Sequence, residues 1–345
     1  MTYALIYISS ILILLALKSN LISNLGAELP SHEERKIHVG SVNRLGGLIF
    51  FSLLFLVLNL ENTLEKYCLI FAFLISIIGF LEDILKKLSP IIRFIFILIL
   101  IMSFVVSNNF IVTRFDNSFL EIVINHYYLV AIIFSIASLM FVVNGFNFID
   151  GLNGLLLGFS IVVLSIYSFY SFNISESLYL INTCILFVCS ILFIINFFKG
   201  NILVGDGGAY FLGFIIGSLS IILSNQNIIK ASEIAFILSY PVIEVFFSFS
   251  RRFFLRNKTT FKPDNLHLHQ LVFTQFIIIR DNYKINVTDN FINSFSSLII
   301  LLSLSIILFV GLGFKEYIDT SYLFFIFIII YIIVYYALLK LVNKS

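Results

Sequence analysis

Five acids, Glu82, Asp83, Asp150, Asp206 and Asp264, stand in a chain otherwise averse to charge, each inside a run of amides, glycines, bases or histidines. Glu82 and Asp83 are adjacent in "GFLEDILKK"; Asn144, Asn147 and Asp150 recur every third residue in "NGFNFIDGLNGL"; Asp206 lies in "NILVGDGGAYFLG"; His267 and His269 close "KPDNLHLHQL". Hard oxygen donors of this kind suit magnesium, which keeps several of its waters and is held by one or two carboxylates together with substrate phosphates. In "VGDGGA" the glycines let backbone N–H groups and a helix N-terminus come close to a phosphate. Arg35, Lys36, Arg251, Arg252 and Arg256 can balance the charge of a pyrophosphate. Acids, glycines and bases together describe a magnesium-dependent phosphoryl-transfer site.

Each cluster taken singly has a plainer reading. A charged pair at the end of an apolar run flanks a membrane interface, and "GDGG" forms a turn. Asn144, Asn147 and Asp150 can serve helix caps and turns. Two histidines with no cysteine or third histidine nearby make a poor zinc site, and Arg251 and Arg252 can be topological anchors. What separates the readings is whether the clusters share one side of the molecule, and that depends on the elements that carry them.

Those elements are membrane helices. Of 345 residues 60% are hydrophobic and only 12% charged, so the average residue prefers hydrocarbon to water. A net charge of +2 gives nucleic acid no footprint. Cys68, Cys184 and Cys189 sit inside apolar runs as small hydrophobes. Apolar stretches long enough to span a bilayer fall at 3–22, 45–60, 67–82, 91–107, 127–143, 154–171, 178–197, 209–224, 231–249, 296–314 and 321–342. The expected fold is therefore an all-α integral membrane protein of about eleven transmembrane helices, with residues 1–345 as a single polytopic domain. The first span has no basic start and no small-residue cleavage site, and reads as a retained helix. Seventeen of the 21 Lys and Arg residues fall on one side. That side is the cytoplasm, the N-terminus lies outside, and residues 250–295 form the largest cytoplasmic loop. These four clusters, together with Arg35 and Lys36, all fall on this cytoplasmic face.

At this point the residues resemble a known family. "RKIH" with "RLGG", then "GFLED", "NGFNFIDGLNGL", "NILVGDGGAYFLGF" and "PDNLHLHQL" occur in the order found in the polyprenyl-phosphate N-acetylhexosamine-1-phosphate transferases, the MraY/WecA superfamily of glycosyl transferase family 4. The resemblance covers residues 35 to 272. It implies a multi-pass enzyme of the bacterial inner (plasma) membrane with a cytoplasmic site, dependent on Mg2+ or on Mn2+ in its place. Such an enzyme transfers a HexNAc-1-phosphate from a UDP-sugar (UDP-HexNAc) to undecaprenyl phosphate, releases UMP and starts a cell-envelope polysaccharide such as O-antigen. A homodimer is also implied.

Carried over by position, Asp206 is similar to the family's principal magnesium ligand, and Glu82 and Asp83 to its acid pair, whose first member binds or deprotonates the lipid phosphate. Asn144, Asn147 and Asp150 match the asparagine-rich motif that positions nucleotide and metal. His267 and His269 match a histidine motif near the diphosphate or sugar, Lys36 and His38 the first-loop motif, and Glu244 an acid of the ninth helix. Three departures stand out: Glu82 replaces an aspartate, Asn153 removes one charge from the pocket, and Gln270 stands where many members have a further histidine.

Two other readings compete. The phospho-MurNAc-pentapeptide transferase of peptidoglycan synthesis carries three consecutive histidines after "MAP", whereas this chain reads "KPDNLHLHQ". A secondary transporter would place its charges near the bilayer midplane on broken helices, in internal repeats. Here most spans are free of charge, Glu244 being the main exception, and no repeat is evident.

Overall fold

The computed structural model describes residues 6, 8–13, 27–28, 42–115, 118–255 and 266–343. Lys36, His38, Arg35, Arg256 and Asp264 lie outside the described residues, and of Arg252 only the backbone is described. A 3-10 turn, Gly46–Leu53, runs into α1 (Leu54–Asn59). There follow α2 (Thr63–Leu85), α3 (Pro90–Ser107), α4 (Ser118–His126), α5 (Tyr128–Ile149), α6 (Leu155–Ser171), α7 (Glu176–Lys199) and α8 (Gly205–Asn225). The last five helices are α9 (Ala231–Ile237), α10 (Ser239–Leu255), α11 (Leu268–Tyr283), α12 (Asp289–Gly313) and α13 (Thr320–Val342).

Among the described residues seven helices, α2, α3, α5, α7, α8, α12 and α13, are long and apolar enough to cross a membrane. The bent pair α9 and α10 makes an eighth if taken as one span. The shorter apolar helices Gly46–Asn59 and α6 stand where the second and sixth spans are expected. Helix thus overlies each expected span from the second to the eleventh, while the first lies largely outside the described residues. The stretch 250–295, expected as the largest segment between spans, carries the 16-residue helix α11.

The ninth span is not straight: α9 and α10 meet at 69° around Leu238. Pro241 supplies the cause, since it lacks an N–H and its ring would clash with the carbonyl one turn earlier, that of Ile237. The bend turns the following face of α10 toward the N-terminus of α11.

α8 is the axis of the molecule. All of its apolar stretch is buried, against 17% in α13 and 22% in α3, whose side chains face outward as lipid-facing helices do. A helix so enclosed needs small residues where neighbours cross it. At its first turn a Cβ on Gly207 would collide with the ring of Phe80, and one on Gly79 of α2 would collide with the Gly207 backbone. This close crossing places Asp83, one turn beyond Gly79, against the N-terminus of α8.

A short ladder completes the frame. β1 (Ala27–Glu28) pairs antiparallel with β2 (Val42–Asn43), and Asn43 bridges to Ile202 just ahead of α8. The chain continues alongside: Gly46 N–H donates to Leu203 O at 2.9 Å and Gly47 N–H to Val204 O at 2.9 Å. Arg44 is thereby fixed beside the first turn of α8.

Candidate active site

Asp206 occupies the first turn of α8, where a carboxylate is favoured by the helix dipole. Gly205, before it, has φ +73°, and a Cβ there would press on the Arg44 carbonyl and on Asp83 Oδ2. Only glycine accepts both that backbone and that proximity. The Asp206 carboxylate is almost wholly committed. Its Oδ1 accepts from Arg44 at 2.9 Å and from Asn147 Nδ2 at 3.1 Å, and its Oδ2 pairs with Arg93.

Asp83 reaches the same point from α2. It is buried; Oδ2 accepts from Gly207 N–H at 3.1 Å, and Oδ1 has Arg44 Nε at 3.3 Å but accepts no hydrogen bond. One guanidinium therefore spans two carboxylates. Asp150 ends α5 beside them. Burial pushes its carboxyl up to about 7; Arg44 opposes the shift, Asp206 and Asp83 add to it, and the Gly205 N–H opposes it again. Three acids from α2, α5 and α8 repel one another at one spot, which two arginines answer in part.

Glu82 does something different from its neighbour. Its Oε2 accepts Leu88 N–H at 2.8 Å, and its backbone carbonyl accepts Lys86 N–H, where Lys86 closes the helix at φ 53°. This caps the tight turn between α2 and α3. Ser89 caps the start of α3 and Pro90 opens it, so Arg93 falls in the first turn, facing Asp206.

The histidine segment arrives from the other side of the Asn147–Asp150 turn. His267 caps α11, its ring packed edge-on to Phe148 at 5.2 Å and stacked on His269 at 5.5 Å. The Nε2 of His269 lies so close to Gly151 that no side chain would fit between them. Burial pushes His269 down to about 3, with Glu244 opposing and His267 assisting, so this ring is neutral near pH 7. Glu244 holds the segment: its Oε2 is 3.0 Å from His267 Nδ1 and its Oε1 accepts Leu268 N–H at 3.1 Å.

Asp83, Asp150, Asp206, Asn147, His267 and His269 are thus brought to one region. Asn144 lies one turn earlier on the same face of α5 and donates to Met140 O. Two of the expected residues have other described partners. Arg251 donates to Leu266 O at 2.8 Å and to Tyr335 OH, over the ring of Tyr335, which turns it toward α13. Asn153 is fully buried, its N–H donating to Asn293 Oδ1 at 2.6 Å and its amide to Asn290 Oδ1 at 2.8 Å. Substituting Asn153→Asp therefore sets a carboxylate oxygen against Asn290 Oδ1. A loss of about 1–3 kcal/mol in stability is expected, read as a lower melting midpoint in detergent with the turnover of the folded fraction unchanged.

Arg44 and Arg93 were not among the candidates, although each pairs with Asp206. A cavity of about 690 Å³ lies away from this cluster, toward the other end of α8, lined by Phe141, Ser220, Ser224, Leu238 and Tyr322 among others. Among the described residues no three His, Cys, Asp or Glu side chains group closely enough to hold an ion by themselves. The donor set still fits a hard cation: Asp83 Oδ1 is buried without a hydrogen bond, and charge shared among Asp83, Asp150 and Asp206 would relieve their repulsion.

The glycosyl transferase family 4 profile matches residues 66–224, which include Glu82 through Asp206 but not the histidine segment. Over 302 residues, 84% of this chain and 82% of the relative, the sequence is 27% identical to a Bacillus subtilis protein named a probable undecaprenyl-phosphate N-acetylglucosaminyl 1-phosphate transferase. It is 31% identical over 135 residues to the undecaprenyl-phosphate alpha-N-acetylglucosaminyl 1-phosphate transferase of Thermotoga maritima, covering 37% of this chain and 38% of that one. It is 33% identical over 129 residues to the phospho-N-acetylmuramoyl-pentapeptide-transferase of Staphylococcus carnosus, covering 36% of this chain and 39% of that one.

Proposed function

Since the chain belongs to the polyprenyl-phosphate N-acetylhexosamine-1-phosphate transferases of glycosyl transferase family 4, we propose that it moves a HexNAc-1-phosphate from a UDP-sugar to undecaprenyl phosphate and releases UMP. The observation that carries this reading is the meeting of Asp83, Asp150 and Asp206 with Arg44, Arg93 and Asn147 at the N-terminus of one buried helix. Long-separated segments converge there on a charge pattern suited to phosphates. The N-acetylglucosaminyl transferase reading is preferred to the pentapeptide one because the Bacillus relative aligns along 84% of the chain, against 36% for the Staphylococcus one.

In the proposed reaction one oxygen of the lipid phosphate forms a bond to the phosphorus that carries the sugar. The bond from that phosphorus to the bridging oxygen breaks, and the oxygen leaves with its electron pair as part of UMP. A phosphate is already ionised near neutral pH, so no strong general base is needed. Arg44 and Arg93 hold diphosphate and lipid phosphate charge, and Asn147 orients Asp206. Asp206, with Asp83 and Asp150 beside it, would hold magnesium only together with substrate phosphates and water, since the three carboxylates do not group closely enough to hold an ion by themselves. When bound, the ion would neutralise the diphosphate oxygens and make UMP a better leaving group. One phosphoanhydride replaces another, so the transfer is near thermoneutral and later use of the lipid product draws it forward.

The same reading puts the site on the cytoplasmic face of the bacterial inner membrane, on the side favoured by 17 of 21 basic residues, and makes the product a starter for a cell-envelope polysaccharide. Membranes containing the protein, given magnesium, undecaprenyl phosphate and a panel of UDP-sugars, are expected to release UMP with at least one UDP-HexNAc. No UMP with any UDP-HexNAc, but release with the UDP-MurNAc-pentapeptide, would transfer the assignment to the peptidoglycan reaction.

A further inference from the structure

We propose that Glu244 is a positioning residue for this transfer: its carboxylate fixes the ring of His267, and with it the histidine segment, beside the Asn147–Asp150 turn. The inference rests on the proposed function and on the expectation that His267 lies near the diphosphate or sugar of the nucleotide-sugar.

The grip is made by one face of α10. Glu244, Ser248 and Arg251 recur at helical spacing, and they hold three consecutive residues. Arg251 donates to Leu266 O at 2.8 Å, Glu244 Oε2 and Ser248 Oγ lie 3.0 Å and 3.2 Å from His267 Nδ1, and Glu244 Oε1 accepts Leu268 N–H at 3.1 Å. On the far side, His267 packs on Phe148 and His269, and His269 on Gly151. Contacts therefore run unbroken from Glu244 through both rings to the residue next to Asp150. The 69° bend after α9 is what aims this face of α10 at the start of α11.

A carboxylate buried in an apolar helix is costly unless paired. A neutral side chain could cap α11 as well. What the carboxylate adds is that it can only accept, so His267 Nδ1 must carry a proton and the ring's other nitrogen, Nε2, keeps its lone pair as an acceptor for a hydroxyl of the nucleotide-sugar. A carboxylate fixing an imidazole tautomer in this way is a known means of tuning a histidine for catalysis.

Glu244→Gln tests this without changing volume. An amide has one acceptor oxygen, which cannot serve both Leu268 N–H and His267 Nδ1–H. Its NH2, turned toward Nδ1, moves the ring proton to Nε2. We expect kcat for sugar-phosphate transfer to fall roughly tenfold or more, with the KM for the UDP-sugar changed by less than about twofold. In a His267→Asn background the same substitution should cost nothing further. Ring 15N spectra of histidine-labelled protein give a reading independent of turnover: the His267 proton on Nδ1 in the wild type and on Nε2 in Glu244→Gln.

Wild-type kcat in Glu244→Gln, or an equal loss in both backgrounds, overturns the inference. So does an Nε2 proton on His267 in the wild type. Wild-type transfer by His267→Asn would remove His267 from the reaction and the inference with it, leaving the carboxylate cluster untouched. Absence of any transfer in the wild type, with the Nδ1 proton present, would instead overturn the functional reading while the Glu244 to His267 linkage stood.

Discussion

Asp206→Asn should reduce sugar-phosphate transfer by at least about a thousandfold, roughly 4 kcal/mol of barrier. The substitution keeps the shape of the side chain and removes one charge at the point where Arg44, Arg93 and Asn147 converge. An asparagine can still accept one hydrogen bond on its single oxygen, but it presents an NH2 to one of the two guanidiniums. It also removes the strongest oxygen donor from the set that would hold magnesium. Stability should suffer less than activity. The side chains of Arg44 and Arg93 are 30% and 17% exposed, so solvent screens part of the lost attraction, and Arg44 keeps Asp83. The test is UMP release by membranes at limiting and saturating magnesium, with the melting midpoint measured on the same protein. Turnover within tenfold of wild type in a folded protein would mean that the chemistry is centred elsewhere.

The contrast between these arginines and the acids shows what is legible in such a chain. Membrane helices declare themselves because hydrocarbon demands long apolar runs, and the described helices overlie the expected spans from the second onward. Asp83, Asp150 and Asp206 are visible because acids are few here, 19 in 345 residues, and Asn147 because it stands three residues before one of them. Arg44 and Arg93 are hidden by a different rule: each also satisfies the inward bias of basic residues, so topology alone accounts for it. A sharper signal was present. Arg93 lies in the first turn of an apolar helix opened by Ser89 and Pro90, and Arg44 directly precedes "LGG".

Arg251 and Asn153 are harder to place from sequence for the opposite reason. A basic residue and an amide beside the motifs read as part of the pocket, but side-chain direction decides, and no periodicity in the sequence separates the face of α10 that meets α13 from the faces beside it. The bend at Leu238 was readable from Pro241 in "LSYPVIE". Without it, Glu244 is only an acid in a hydrophobic run; with it, the acid has a histidine to hold.

The adjacent acids of "GFLED" should separate in their effects. Asp83→Asn is expected to cost about a hundredfold or more in turnover. Its Oδ1 can still accept from Gly207 N–H, but its NH2 then confronts Arg44, and the guanidinium that spans Asp83 and Asp206 loses one end. Glu82 is held otherwise, its Oε2 occupied by Leu88 N–H at 2.8 Å in the turn that delivers Arg93. A glutamine keeps both the reach and an acceptor oxygen, so Glu82→Gln should stay within about fivefold of wild type, under 1 kcal/mol of barrier. Glu82→Asp keeps the charge but is one methylene shorter and falls short of Leu88 N–H, which frees the turn and lets Arg93 drift from Asp206. It should therefore be the worse of the two, despite restoring the residue usual in this family. If Glu82 instead acts on the lipid phosphate through its charge, the order reverses, with Glu82→Asp active and Glu82→Gln severely impaired. Initial rates of UMP release at several undecaprenyl phosphate concentrations decide between them, because a charge that meets the lipid phosphate must also move the KM for that substrate, and a cap on the α2 to α3 turn need not.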